Sequence, residues 1–307
     1  MDIIINVALT GLGLGMLCFG GHWLVEGSID VARRFRMSQI LIGITIVAMG
    51  TSTPELAASL AAGENGEIVL GNVVGSNIAN IGMVIGVAAF MVPLVIHKSI
   101  KKEIFAMIGF SILLVAFSAD GMISHLDGLI LVGLLVAFTI YMYKSTRREE
   151  SDDEPSSSRA AGRSILYIGG GIALLGTGAV LTIDNAEALA RTLGIQDRII
   201  GLTIIAIGTS LPELITSIIA IKRGHTDIGI GNIVGSNVYN ILMIAGISAA
   251  LSGIVVVPQI FADYAVMIAF SAVLVVGLFL GKIGRLIGMG LFIGYVLYHT
   301  INGVGVL

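Results

Sequence analysis

Two acidic residues, Glu55 and Glu213, have the clearest capacity for chemistry in this sequence. Each follows a proline inside an apolar run, in VAMGTSTPELAAS (47–59) and IAIGTSLPELITS (205–217), and the other acidic residues lie in loops or near the ends of such runs. A carboxylate in an apolar membrane environment costs about 3 kcal/mol or more unless it has a partner. No Lys or Arg lies inside these runs to supply one. A metal cation or a proton would neutralise the charge.

The prolines predict a break in each helix. Pro54 has no N–H, so the carbonyl of Gly50 loses its helical partner and the ring crowds the preceding turn. A new helix then begins with proline in its first turn. The predicted consequence is free carbonyls around Ala48 and Thr51, next to the hydroxyls of Thr51 and Ser52. The second segment repeats this pattern.

A second repeated block, GNVVGSNIAN in one half and GNIVGSNVYN in the other, adds side-chain oxygens. Its serine and last asparagine are four residues apart, so they share one helix face. The asparagine between them is expected either to contact the site or to cap broken backbone. Carboxylates, carbonyls, hydroxyls and amides together favour hard cations such as Ca²⁺ and Na⁺. The polar residues concerned are Ser76, Asn77, Asn80, Ser236, Asn237 and Asn240.

The composition places these segments in a membrane protein. Of the 307 residues, 56% are hydrophobic and 12% are charged, and the mean hydropathy is +0.99, whereas a soluble domain carries about 25% charged residues. Ten apolar runs are long enough to cross a bilayer, which takes about 17–25 residues. They are approximately 3–25, 38–61, 67–93, 103–119, 127–143, 164–183, 198–221, 227–251, 260–281 and 284–304. The expected fold is an all-α integral membrane protein with ten transmembrane helices.

The basic residues predict the orientation. The loops between runs 1–2, 3–4, 5–6, 7–8 and 9–10 hold 15 of the 17 Lys and Arg residues. Loops rich in Lys and Arg stay in the cytoplasm, so we expect these loops inside and both termini outside the cell. The plasma (cell) membrane is the expected location. The first run has no basic residues before it, which favours a first span over a cleaved signal peptide.

The two halves of the chain repeat each other. Residues 44–62 match 202–220, and residues 71–86 match 231–246, at offsets of 158 and 160 residues. With five spans in each half, the second half enters the membrane from the opposite side. This predicts two inverted five-helix repeats, with broken helices at a shared site near mid-membrane. The expected domains are 1–144 (first repeat), 145–163 (a charged, Ser-rich cytoplasmic linker) and 164–307 (second repeat).

At GTSTPE (50–55) and GTSLPE (208–213), each followed by a GSN block, the sequence resembles the sodium/calcium exchanger branch of the Ca²⁺/cation antiporter superfamily. The resemblance covers both halves. It indicates the prokaryotic type, because the linker is too short for the Ca²⁺-sensing domains of animal exchangers. It implies Na⁺-driven countertransport of Ca²⁺ by alternating access, which is electrogenic if three Na⁺ bind. The glycine-rich spans 1 and 6 are expected to move past the site-bearing helices.

The resemblance also implies which residues bind the ions. Glu55 and Glu213 are the central carboxylates shared by both ions, and the carbonyls of Thr51 and Thr209 complete the Ca²⁺ site. The potassium-dependent members carry an aspartate in place of Asn240, which disfavours K⁺ coupling. The implied Na⁺ ligands are Ala48, Thr51, Ser52, Glu55 and Ser236 on one side and Ala206, Thr209, Ser210, Glu213 and Ser76 on the other, with Asn80 and Asn240 at the mid-site and Asn77 and Asn237 behind them.

A proton-driven exchanger of Ca²⁺ or another divalent cation is the alternative function. Such relatives tend to carry GN-x-x-E in these repeats, whereas this chain has GTS-x-PE. A channel would not need an inverted pair, and an intramembrane protease would need a Ser–His pair or two aspartates in its spans. We therefore do not expect an enzyme. The expected ligands are inorganic cations within a lipid bilayer, without an organic cofactor, nucleic acid or obligate protein partner.

Overall fold

The computed structural model describes residues 3–63, 65–146, 161–195 and 206–304. The α-helices are α1 Ile3–Phe35, α2 Gln39–Ile42, α3 Ala48–Thr51, α4 Thr53–Ala62, α5 Gly66–Ala79, α6 Gly86–Met91, α7 Lys101–Phe117, α8 His125–Thr146, α9 Ala161–Thr192, α10 Ala206–Thr209, α11 Leu211–Lys222, α12 Thr226–Tyr239, α13 Gly246–Ser252, α14 Ile260–Leu280 and α15 Arg285–Val304. Among these residues, π-helical segments lie at Gly43–Val47, Asn80–Ile85 and Asn240–Ala245, and a 3-10 turn lies at Lys98–Ile100. Four short strands are β1 Leu94–Val95, β2 Met122–Ile123, β3 Ile254–Val255 and β4 Lys282–Ile283.

Six helices among the described residues are long and apolar enough to cross a membrane. A seventh results if the bent pair Gln39–Thr51 and Thr53–Ala62 counts as one span. The six helices coincide with predicted spans 1, 3, 5, 6, 8 and 9, and the bent pair coincides with predicted span 2. Spans 4 and 10 coincide with α7 and α15, which have 17 and 20 residues. Span 7 lies partly outside the described residues, as does most of the predicted linker, so the count of ten remains a prediction.

The first helix is longer than the sequence predicts. The apolar run ends near residue 25, but α1 continues to Phe35 and carries Glu26, Asp30 and two arginines on its last turns. Helix α9 likewise continues beyond residue 183 to Thr192. Hydropathy locates the part of a helix that fits the bilayer, whereas backbone hydrogen bonds can continue into the polar region beyond it.

Among the described residues, four two-residue strands join the two halves. β1 pairs with β4 and β2 pairs with β3, both antiparallel. At the repeat offset of 160 residues, β1 corresponds to β3 and β2 to β4. Each pair therefore contains one strand from each half, and the two pairs are equivalent under the repeat.

Helices α1 and α9 pack together through glycines. A Cβ atom added at Gly13, Gly20 or Gly27 would lie 2.8–2.9 Å from a carbonyl oxygen of Gly178, Gly171 or Ser164, respectively. Increasing residue numbers on α1 meet decreasing numbers on α9, so the two helices are antiparallel. The missing side chains allow close backbone approach, which makes α1 and α9 one packed unit.

Helices α5 and α12 form the centre of the molecule. Together with the π-helical segments that follow them, they are almost completely buried. Most residues in the apolar stretches of α1, α8 and α9, by contrast, are not buried. The apolar side chains of α5 and α12, including Val73, Ile78, Val234 and Val238, belong to one buried cluster. Polar residues on α5 and α12 are thus held inside the protein and away from lipid.

Candidate functional site

Each of the two proline segments contains the predicted break. Ser52 separates α3 from α4 with φ −84° and ψ 2°, and Ser210 separates α10 from α11 with φ −92° and ψ 6°. These angles lie between the helical and extended regions. The first pair of helices is bent by 42°. Pro54 and Pro212 stand in the first turn of the helix that follows, as expected from a residue without an N–H.

The carbonyl of Ala48 is not free, which corrects part of the sequence prediction. It accepts hydrogen bonds from the Ser52 N–H at 2.9 Å and from the Thr51 hydroxyl at 3.3 Å. The Pro54 N–H would have bonded to the Gly50 carbonyl, so its absence leaves the Ala48–Ser52 bond in place and helical bonding continues through Ser52.

The two carboxyl groups meet inside the protein. Glu55 and Glu213 are 2% and 1% exposed, and their carboxyl groups are close enough to interact directly. Ser52 donates to Glu213 Oε1 at 3.4 Å, and Ser236 donates to the same oxygen at 3.5 Å. Residues from both halves thus surround one pair of carboxylates.

Hydrogen bonds join Thr51 to the second half. Its hydroxyl donates to Asn232 Oδ1 at 3.1 Å and lies 3.3 Å from the hydroxyl of Ser236. Asn232 in turn donates to Ser217 Oγ at 2.9 Å. The broken helix of one half is therefore fastened to α11 and α12 of the other.

Asn72 is the repeat counterpart of Asn232. It donates to Ser59 Oγ at 2.7 Å and to the backbone carbonyl of Glu55 at 3.0 Å. Sequence reasoning missed both asparagines and their serine partners. A signal was available, because each asparagine is the second residue of the repeated GN-x-x-GSN block.

Four asparagines form a symmetric arrangement across the two halves. Asn80 donates to Asn237 Oδ1 and Asn240 donates to Asn77 Oδ1, both at 3.0 Å. Asn77 donates to the backbone carbonyl of Asn237 at 3.4 Å. Because the amide nitrogens of Asn80 and Asn240 are used in this way, their oxygens face elsewhere as acceptors.

Several buried oxygens at the site have no hydrogen-bond partner within the described part of the chain. They are Glu55 Oε2, Glu213 Oε2, Asn80 Oδ1, Asn240 Oδ1 and Ser210 Oγ. Nor does any described Lys, Arg or His form an ion pair with either carboxylate. Buried acceptors without a donor are unfavourable by about 1–3 kcal/mol each. These carboxylate, amide and hydroxyl oxygens fit a cation that takes oxygen ligands.

The remaining predicted residues lie on the same elements. Ala48 is on α3, Ser76 and Asn77 are on α5, and Ala206 and Thr209 are on α10. Thr209 is half-buried, whereas its counterpart Thr51 is fully buried. The surroundings of the Ala206 side chain lie outside the described residues.

The sequence model of one known protein family, described as "Sodium/calcium exchanger protein", matches residues 5–144 and 163–304. The chain belongs to the sodium/calcium exchanger family. A similar curated relative is the sodium/calcium exchanger MaX1 of Methanosarcina acetivorans, 31% identical over 345 residues, with 97% of this chain and 99% of MaX1 covered. The putative antiporter CaxA of Alkalimonas amylolytica is 35% identical over 303 residues, with 92% and 95% covered.

A solved structure of the sodium-calcium exchanger NCX_Mj, soaked with 10 mM Na⁺ and no Ca²⁺, is similar in fold. The TM-score is 0.86 at 32% sequence identity, and the match covers 96% of this chain and 98% of NCX_Mj. Together these likenesses identify the chain as a membrane transporter that handles inorganic cations rather than an enzyme.

Proposed function

We propose that this protein is an antiporter that exchanges Na⁺ for Ca²⁺ at the site built around Glu55 and Glu213. The observation that supports this most directly is the pair of buried carboxylates, bordered by unpartnered amide and hydroxyl oxygens from both halves. Ca²⁺ takes six to eight oxygen ligands in a flexible cage, and two carboxylates balance its charge. The proposed Ca²⁺ ligands are the two glutamates with the carbonyls of Thr51 and Thr209.

Na⁺ uses the same carboxylates in this proposal. Its further ligands are Ala48, Thr51, Ser52 and Ser236 on one side and Ala206, Thr209, Ser210 and Ser76 on the other. Binding through the Ala48 carbonyl requires that the Thr51 hydroxyl release it. One Ca²⁺ or two Na⁺ neutralise the site, whereas a third Na⁺ adds one positive charge. Exchange of three Na⁺ for one Ca²⁺ therefore moves charge, at about 2.3 kcal/mol per elementary charge per 100 mV. Competition for the same ligands couples the two fluxes.

A gradient experiment tests the choice of driving ion. In vesicles containing the purified protein, an outward Na⁺ gradient is expected to drive ⁴⁵Ca²⁺ uptake, and a pH gradient alone is not. A K⁺ diffusion potential, negative inside or positive inside, should change the rate if exchange is electrogenic. Uptake driven by the pH gradient without Na⁺ would favour the proton-driven alternative.

Asn77 and Asn237 are proposed to orient the mid-site amides. Replacing Asn77 with Leu removes the acceptor for the Asn240 NH₂ group, and replacing Asn237 with Leu removes the acceptor for the Asn80 NH₂ group. The released amide can then turn its NH₂ group toward the cation. The mid-site amides border the proposed Ca²⁺ ligands, and residues that orient the groups around a metal typically contribute about 10–100-fold in affinity. We expect Ca²⁺ binding to weaken by that factor. Isothermal titration calorimetry provides the measurement.

A Ser111→Ala variant serves as the control for these substitutions. Ser111 is buried, and its hydroxyl donates to the Met107 carbonyl of its own helix at 3.0 Å. It should bind Ca²⁺ as the wild type does. Unchanged affinity in folded Asn77→Leu and Asn237→Leu variants would contradict the orienting role.

The two broken helices differ in how they are covered, which supports an alternating-access mechanism. Helix α11 packs against α1, and Arg223 at its end lies 2.5 Å from Glu26 on α1. On α4, by contrast, Thr53, Ala57 and Leu60 are exposed. We propose ten transmembrane helices in two inverted repeats, both termini outside the plasma membrane, and a conformation closed on the cytoplasmic side by α1.

A further inference from the structure

The two strand pairs that join the halves carry opposite charge. Chain segments around β2 and β3, residues 118–127 and 253–259, hold two aspartates and no Lys or Arg. Around β1 and β4, exposed cations come from both halves and are brought to one edge by the strand pairing. These exposed cations are Lys98, Lys101, Lys102, Lys282 and Arg285.

A cavity of about 540 Å³ opens beside the β1–β4 pair. Lys282 and Arg285 line it together with apolar residues, among which Leu280 and Leu286 are 59% and 79% exposed. Neither cation has an ion-pair partner among the residues that the structure describes. The cavity thus combines two available positive charges with an exposed apolar wall.

Next to this cavity lies an apolar one between α14 and α15, and we call the two together the groove. A second cavity, of about 390 Å³, shares Ile287 with the first and is lined by Phe270, Val273 and Leu291. Arg285 and Leu291 are six residues apart, so the groove follows α15 for about 9 Å. A cationic opening that leads into an apolar groove matches a charged headgroup with an attached acyl chain.

We propose that this groove binds an anionic phospholipid, with its phosphate on Lys282 and Arg285 and an acyl chain between α14 and α15. Basic residues at the membrane surface attract anionic lipids, and the predicted orientation places these cations at the cytoplasmic leaflet. The apolar groove distinguishes this from a free phosphate site, because an inorganic ion would leave it unused.

The repeat itself provides a comparison. At the offset of 160 residues, Met122 and His125 stand where Lys282 and Arg285 stand in the second half. Asp127 replaces Ile287 between the two cavities, and its carboxylate accepts a hydrogen bond from Ser124 Oγ at 2.7 Å. A phosphate there would meet a carboxylate, so the proposed site belongs to only one of the two ends.

Native mass spectrometry of the delipidated, purified protein tests the proposal. Titration with phosphatidylglycerol should give a bound adduct at lower concentration than phosphatidylcholine. In the Lys282→Gln/Arg285→Gln variant, the apparent affinity for phosphatidylglycerol should fall by roughly 30-fold. The charge-matched Lys144→Gln/Lys222→Gln variant should bind as the wild type does, since both lysines are exposed and distant in sequence from the groove.

Two further measurements separate the acyl chain from the headgroup. Gly290→Phe keeps every charge and fills the groove, where a Cβ atom at Gly290 meets nothing within 4 Å; it should also weaken phosphatidylglycerol binding. Inorganic phosphate at the same concentrations should not displace the lipid. Equal losses in both double variants, full binding by Gly290→Phe, or displacement by inorganic phosphate would each overturn the proposal.

Discussion

Glu213→Gln is expected to abolish Na⁺-driven ⁴⁵Ca²⁺ uptake, and Glu55→Gln is expected to do the same. Each substitution keeps the shape of the side chain but removes one of two charges that balance Ca²⁺. Removing one partner of a buried ion pair costs about 3–5 kcal/mol, which corresponds to roughly 100- to 4,000-fold weaker binding. Flux into reconstituted vesicles and calorimetric Ca²⁺ binding are the two measurements.

Glu103→Gln is the matched control for these variants. Glu103 is also a buried carboxylate, 6% exposed, but it lies on α7 and belongs to neither proline segment. Ca²⁺ should stabilise the wild type and the Glu103→Gln protein against thermal unfolding, since a ligand that binds only the folded state raises its stability. The site variants should fold yet lose this stabilisation. Near-normal uptake by either site variant would refute the assignment.

The sequence alone predicted the parts of the site that depend on local chemistry. A proline inside each apolar run must interrupt helical bonding, because it lacks an N–H, and the structure contains a break at Ser52 and at Ser210. A glutamate in an apolar run needs a cation or a proton to neutralise it, and the structure buries Glu55 and Glu213 with one unpartnered oxygen each among the described residues. Both conclusions follow from short-range geometry and from the cost of burying charge.

What the sequence did not predict depends on contacts between distant residues. Asn232 bonds to Thr51, 181 positions away, and no local pattern specifies that pairing. The π-helical segments begin at Asn80 and Asn240, where the sequence predicts ordinary helix. Such segments are rare and occur at functional sites, because tertiary contacts there outweigh the preference for regular helix.

The proposed movement of α1 together with α9 follows from how each helix is held. Glycines let α1 approach α9 closely between Gly13 and Gly27, so separating the two helices would expose tightly packed backbone. Helix α1 meets α11 at Gly21, which faces side-chain atoms of Thr216 and Ile219, and through the ion pair between Glu26 and Arg223 just after α11, at 2.5 Å. Partly exposed ion pairs contribute little, about 0–1 kcal/mol. The α1–α11 contact is therefore the one that can open.

Cross-linking α1 to α11 is accordingly expected to stop exchange almost completely. A Cβ atom at Gly21 would lie 3.3 Å from the Thr216 hydroxyl, so a Gly21→Cys/Thr216→Cys pair in a Cys18→Ser background is within reach of a short bifunctional methanethiosulfonate, which joins the two thiols through disulfides. A Trp23→Cys/Tyr167→Cys pair joins α1 to α9 instead. The native Trp23 and Tyr167 rings stack there, with their centroids 5.4 Å apart.

The second cross-link should leave ⁴⁵Ca²⁺ exchange largely intact, because α1 and α9 move as one unit. The first should block it reversibly, with uptake restored once the link is cleaved by a reductant. If the α1–α11 link forms quantitatively and exchange continues at its original rate, opening at this contact is not part of the transport cycle. Loss of exchange with both links would instead mean that α1 must also move relative to α9.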